Sequence, residues 1–142
     1  MGALRPHRKP VVVGICLLVG ALHLVTGPDY AGPLPGFVRG YLIDLLLPFA
    51  MVLLLGVGAE SLPALAPAPV RAGLVVGFGL VVEGCQYLGV PLFGRTFDPL
   101  DLLMYALGAA AAVGFERWMF GSAVGERGLG AGQGSPPGPV DR

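Results

Sequence analysis

The chain has 142 residues, of which 54% are hydrophobic and only 13% are charged, with a formal net charge of zero and a mean hydropathy of +0.75. In soluble domains about 25% of the residues are charged. The composition of this chain therefore excludes an ordinary water-facing surface and is typical of a membrane protein. A zero net charge gives no general basic field, and we therefore expect no nucleic-acid partner.

Four long apolar segments follow one another along the chain: Val11–Gly27, Val38–Gly58, Ala72–Val90 and Pro99–Phe120. Roughly 20 helical residues cross the hydrocarbon core of a bilayer. Short connections that contain proline and glycine make sequential helices antiparallel neighbours. The sequence thus predicts an all-α fold, a transmembrane bundle of four antiparallel helices, within a membrane domain at residues 11–120.

The two ends of the chain differ from this domain. Residues 1–10 are basic and are interpreted as a cytoplasmic N-terminus. A cleaved signal peptide is the alternative, but no small-x-small site follows the first apolar segment cleanly. Residues 121–142 contain seven glycines and three prolines. They have no periodic apolar face, which predicts a disordered cytoplasmic tail.

The basic residues predict the orientation of the helices. With both termini cytoplasmic, only Arg39 and Arg95 face the other side, and the remaining basic residues are cytoplasmic: Arg5, Arg8, Lys9, Arg71, Arg117, Arg127 and Arg142. Positive charge is enriched on the cytoplasmic side of membrane proteins. We therefore expect a multi-pass protein of the cell membrane with both termini inside.

An acidic residue interrupts the third apolar segment. Glu83 lies seven residues before Val90, which predicts a depth of roughly 10 Å below the helix end. A charge costs about 2.5–3.5 kcal/mol in the bilayer, so a short carboxylate there is expected to face protein or water. Gln86 follows at i+3 and extends the same polar face.

Further polar residues are predicted to meet Glu83 at the outer ends of the helices. Arg95 is long enough to reach a carboxylate there, and we expect it to be the counter-charge of Glu83. Asp98, before Pro99, resembles a helix N-cap. The others are Asp101, which shares a helix face with Tyr105, and Asp44, which begins an Asp-Leu-Leu sequence repeated at 101–103.

The spacing of these residues resembles the VanZ-like family of small bacterial membrane proteins. The resemblance runs from Glu83-x-x-Gln86 through Arg95, Asp98 and Asp101 to Gly108, and covers roughly residues 38–120. It implies a multi-pass membrane protein, in a family one of whose founding members is linked to resistance to the glycopeptide teicoplanin. Tyr105 stands where the family commonly has asparagine. The stretch GRTFDPLDLLMYALG also resembles a neighbouring family of unknown function.

Three functions are compatible with this pattern. The polar residues form a site for a lipid head group or a cell-envelope precursor, they lock the helices together, or Glu83 or Asp101 performs acid–base chemistry in an enzyme or transporter. No nucleophile motif or phosphate loop supports catalysis. We expect a binding protein without cofactor or metal, whose partners are membrane lipids and, through the resemblance, a cell-envelope precursor or glycopeptide. His23 is interpreted as a packed or rim residue, with a proton relay as the alternative.

Overall fold

A computed structural model describes residues 7–27, 29–90 and 98–120 of the chain. Its helices are α1 (Arg8–Val25), α2 (Pro35–Gly40), α3 (Leu42–Gly58), a 3-10 turn at Pro63–Leu65, α4 (Ala68–Tyr87) and α5 (Pro99–Phe120). Every regular element in these residues is helical, which confirms the all-α prediction. The predicted N-terminal and tail segments lie outside the described residues, apart from residues 7–10.

Three helices are long and apolar enough to cross a membrane: α1, α4 and α5. The remaining apolar helix, α3, has 17 residues. The structure is thus compatible with a membrane protein.

The second predicted helix is interrupted in the structure. The segment predicted as Val38–Gly58 falls into α2 and α3, because the chain breaks at Tyr41, where φ is −124° and ψ is −17°. Its start was also wrong, since α2 begins at Pro35, a residue suited to the first turn of a helix. Within α3, Pro48 removes one donor without ending the helix.

The third predicted helix starts earlier and ends earlier than expected. α4 begins at Ala68 and stops at Tyr87. At its end Gly89 takes a positive φ of 79°. The Val90 amide donates to the Cys85 carbonyl at 2.8 Å, and the Gly89 amide donates to the Gln86 carbonyl at 2.9 Å. These two bonds are a Schellman motif, which terminates a helix at glycine.

α3 is the helix on which the others assemble, since α1, α4 and α5 all pack against it. One buried cluster joins these four helices: Val12, Val52, Leu53, Val75, Ala109 and Ala112. The closest approach is between α3 and α5. A side chain at Gly108 would overlap the carbonyl oxygen of Leu45, so only glycine fits there.

The helices alternate in direction and therefore have two distinct ends. We call one the ion-pair end: it holds the starts of α1 and α4 and the last turns of α3 and α5. The other is the cavity end: it holds α2, the last turns of α1 and α4 and the starts of α3 and α5.

Candidate functional site

A cavity of about 620 Å³ opens at the cavity end. α1 contributes Cys16, Val19, Gly20 and His23, which lie on one face at helical spacing. α3 and α4 contribute matching faces, at positions 44, 47, 51 and 54 and at positions 75, 79, 82 and 86. Most of this lining is apolar. The volume lies within the range of about 300–1,000 Å³ that is usual for small-molecule sites.

The polar lining is concentrated on α3, α4 and α5. Five of the residues predicted from the sequence line this one cavity: Asp44, Glu83, Gln86, Asp101 and Tyr105. Tyr105 and the Asp44 carboxylate lie close enough to interact across α3 and α5. Tyr105 reaches this position because its ring lies against Gly79 of α4, where any larger residue would overlap it. The structure thus brings these residues together, while their binding role stays a prediction.

Glu83 is 2% exposed and connects the site to the start of α5. Its Oε2 accepts a hydrogen bond from the Asp98 amide at 3.3 Å. Because α4 ends at Tyr87, Glu83 lies four residues, or about 6 Å, from the helix end. The predicted depth was too large, because the Schellman turn ends the helix before Val90.

Asp98 caps α5, as its position before Pro99 predicted. Its Oδ1 accepts a hydrogen bond from the Leu100 amide at 2.9 Å. Its Oδ2 accepts one from the Tyr41 hydroxyl at 3.2 Å, which links α5 to the break before α3. This bond raises the pKa of Tyr41 above its ordinary value. Asp98 is not among the residues that line the cavity.

Two basic residues also line the cavity, and the sequence had not assigned them to the site. Arg39 lies in α2, and its Nε donates to the Tyr30 carbonyl at 2.7 Å. His23 lies in the last turn of α1. Arg39 had been counted only as a marker of orientation. Arg39 precedes Asp44 by only five residues in the sequence, and this closeness could have indicated that it lies near the acids.

The sequence also missed a buried ionic cluster at the ion-pair end. Glu116, in α5, accepts hydrogen bonds from Arg71 of α4 and from Arg8 Nη2, the latter at 2.5 Å. Arg71 Nη1 also donates to the carbonyls of Leu65 and Ala66, both at 2.7 Å. Glu116 is an acid within an apolar helix. The reasoning that singled out Glu83 applies to it equally.

The side chains of this cluster pack against the backbone of α3 at Gly56 and do not line the cavity. A Cβ at Gly56 would lie 2.5 Å from Arg8 Nη2 and 2.6 Å from Glu116 Oε1. The Arg8 guanidinium lies 5.4 Å from the centre of the Phe120 ring, within cation–π range. The cluster therefore joins α1, α4 and α5 beside α3, and we interpret it as structural.

Arg95, the predicted counter-charge of Glu83, lies outside the described residues. Within those residues, no group of histidine, cysteine, aspartate and glutamate side chains is arranged to hold a metal ion.

No family model, curated protein or solved structure matches the chain.

Proposed function

We propose that this chain is an integral membrane protein that binds an amphiphile, a lipid or lipid-linked cell-envelope component, in the cavity between α1, α3, α4 and α5. The observation that carries this proposal is the division of the cavity lining. Acidic and amide side chains occupy one wall near the helix ends, and apolar side chains line the remainder. Such a lining suits a ligand with a polar head and a hydrocarbon chain.

The proposal includes the topology. All four apolar helices span the membrane antiparallel to one another, with both termini in the cytoplasm. α3 is short, at about 25 Å for 17 residues, and it packs against α1, α4 and α5. The bias of basic residues near the helix ends supports an orientation with the cavity end outside, level with the outer leaflet.

Binding is favoured over catalysis. The Asp44 carboxylate interacts with Tyr105, and the Glu83 carboxylate accepts a hydrogen bond from the Asp98 backbone amide. Neither arrangement includes a nucleophile beside a base, which covalent catalysis needs. A purely structural role for the polar wall would not require the adjoining cavity.

The resemblance to VanZ-like proteins remains part of the proposal. It suggests a cell-envelope ligand and a link to glycopeptide resistance. Expression of the chain in a susceptible bacterium should then raise the teicoplanin concentration needed to stop growth. An unchanged concentration would remove the resistance role and leave the binding proposal standing.

A cavity-filling variant tests binding directly. Gly20 lines the cavity, and a Cβ at this position meets nothing within 4 Å, so Gly20→Phe can occupy the space without a backbone clash. Gly14 lies on the same helix, is equally open, and is not part of the lining. Native mass spectrometry should detect lipid adducts on the wild type and on Gly14→Phe.

The Gly20→Phe protein should lose most of these adducts while unfolding at the same temperature as Gly14→Phe. Equal adducts on both variants would show that the cavity is not the lipid site. Loss of adducts on both would show that the measurement reports the belt of lipid around the helices.

A further inference from the structure

The cavity carries opposite charges on different walls. Asp44, Glu83 and Asp101 come from α3, α4 and α5, whereas Arg39 comes from α2 and His23 from α1, where His23 lies within electrostatic range of Asp44. Within residues 7–27, 29–90 and 98–120, no arginine or lysine forms an ion pair with these three acids. Glu83 is buried, Asp44 and Asp101 are half-buried, and Arg39 is exposed. Carboxylates that are withdrawn from water are stable when a positive charge lies beside them, so the acids favour a ligand with a positive group, and Arg39 offers a partner for a negative one.

The acidic wall suits a donor of several hydrogen bonds. An ionised carboxylate offers about four acceptor positions. Among the described residues, the buried Glu83 carboxylate accepts one bond, at 3.3 Å from the Asp98 amide. If Arg95 neutralises Glu83, as the sequence predicts, two carboxylates still line the cavity: Asp101, and Asp44, which also interacts with Tyr105 and keeps further acceptor positions. A primary ammonium has three N–H donors and a compact positive charge, which fits such a wall.

The basic side of the cavity suits a phosphate. The exposed Arg39 is part of the cavity lining, and its Nε donates to the Tyr30 carbonyl at 2.7 Å, which restrains the guanidinium. Guanidinium groups bind phosphate oxygens through paired hydrogen bonds.

The rest of the lining suits a hydrocarbon chain. Below the polar groups the wall consists of apolar residues of α1, α3 and α4, which include Val19, Leu47, Leu54 and Phe78. A soluble head group alone would leave this surface uncovered.

We propose that the cavity binds a phospholipid whose head joins a primary ammonium to a phosphate, the chemistry of phosphatidylethanolamine. The ammonium lies against Asp44 and Asp101, and the phosphate lies against Arg39. This inference rests on the proposed function, since it names the class of amphiphile for the same cavity.

A methylation series of one lipid tests the proposal. The purified full chain, in detergent, is mixed with equal amounts of dioleoyl phosphatidylethanolamine, its N-methyl and N,N-dimethyl forms, phosphatidylcholine and phosphatidylglycerol. Native mass spectrometry then counts bound adducts of each. Hydrogen bonds to charged groups predict about a tenfold or greater preference for the primary amine over phosphatidylcholine, with intermediate binding of the partly methylated lipids.

Variants connect the preference to the two walls. Asp44→Asn should reduce the preference for the primary amine over phosphatidylcholine. Arg39→Gln should reduce the preference for phosphatidylethanolamine over a dioleoyl amine that lacks phosphate. Glu60→Gln is the matched control, because Glu60 pairs with Lys9 at the opposite end of the molecule and should leave both ratios unchanged.

Each result of these binding measurements either supports or overturns the head-group assignment. Equal binding of the five lipids, or a preference for phosphatidylglycerol, overturns the proposal. So does displacement of bound lipid by an equal concentration of soluble glycerophosphoethanolamine, because the apolar wall would then contribute nothing. If the lipids bind equally but Gly20→Phe still removes them all, the head-group inference fails and the proposed binding function stands.

Discussion

Arg71 and Glu116 form an ion pair between α4 and α5 in which the side chains are 3% and 9% exposed. Arg8 binds the second oxygen of the same carboxylate from α1. One acid thus joins three helices at the end of the molecule that lies opposite the cavity.

Removal of Glu116 should strongly destabilise the fold. Glu116→Ala leaves Arg8 and Arg71 without their acid, and breaking a buried pair costs about 3–5 kcal/mol. Glu60→Ala breaks the exposed pair with Lys9 and should cost only about 0–1 kcal/mol. Chemical unfolding in detergent measures both. Similar losses for the two variants would show that the buried cluster contributes no more than a surface pair.

Gly56 should not tolerate a methyl group. The added Cβ of Gly56→Ala would press on Arg8 and Glu116, and overpacking of this kind costs about 1–3 kcal/mol. Gly58→Ala lies in the same helix with nothing within 4 Å and serves as the control. Unfolding free energies should fall for Gly56→Ala alone. A neutral Gly56→Ala would mean that the arginine side chains move aside easily.

Gly108 should be the more sensitive of two glycines in α5. Its Cβ would overlap the backbone of Leu45, which cannot move without separating α3 from α5. Gly114→Ala meets nothing within 4 Å and should be neutral or stabilise the helix by up to about 1 kcal/mol. Thermal unfolding compares the two. If Gly108→Ala unfolds at the wild-type temperature, the helices do not approach as closely as described.

Tyr41 should titrate at a higher pH than an ordinary tyrosine. Its hydroxyl donates to the Asp98 carboxylate, and this bond, followed by the charge of Asp98, raises its pKa. A folded-state pKa above the unfolded value stabilises the protein below about pH 10, and this stabilisation is lost as pH rises through the folded pKa.

The ultraviolet absorbance of tyrosinate, with Tyr41→Phe subtracted, measures this titration. Asp98→Asn should return the midpoint toward the ordinary value. A midpoint that does not move in Asp98→Asn would contradict the assigned cause.

The topology is tested with reporter fusions. Fusions after Asp29, Pro67, Thr96 and Val124 should report outside, inside, outside and inside in turn. If α3 does not cross the membrane, the Pro67 fusion reports outside and the alternation is lost.

The sequence predicted the presence and order of the long helices better than the residues at which they begin and end. The start of α5 at Pro99 was predicted correctly, because Asp98 and Pro99 mark a helix start. The break at Tyr41 has no comparable mark, since Gly40 alone does not end an apolar helix. The start of α1 at Arg8 was missed because the apolar run begins only at Val11.

The candidate site was predicted in part. Helical spacing and antiparallel order place Asp44, Glu83 and Asp101 at one end, and the structure brings them onto one cavity. The cavity itself depends on the position and angle of α1 against α3. The spacing of apolar residues along each helix does not determine that packing. The Glu116 cluster was missed because its arginines were used only to infer orientation.

The position of Glu116 near the end of the last helix also bears on the order of assembly during synthesis. Arg8 and Arg71 leave the ribosome well before the acid that neutralises them, since chains are made from the N-terminus. In a chain that spans the membrane as proposed, both guanidinium groups have to stay in water or at the lipid surface until α5 inserts. Because the Glu116 carboxylate contacts residues of α1 and α4, we expect insertion of α5 to complete the packing of these three helices.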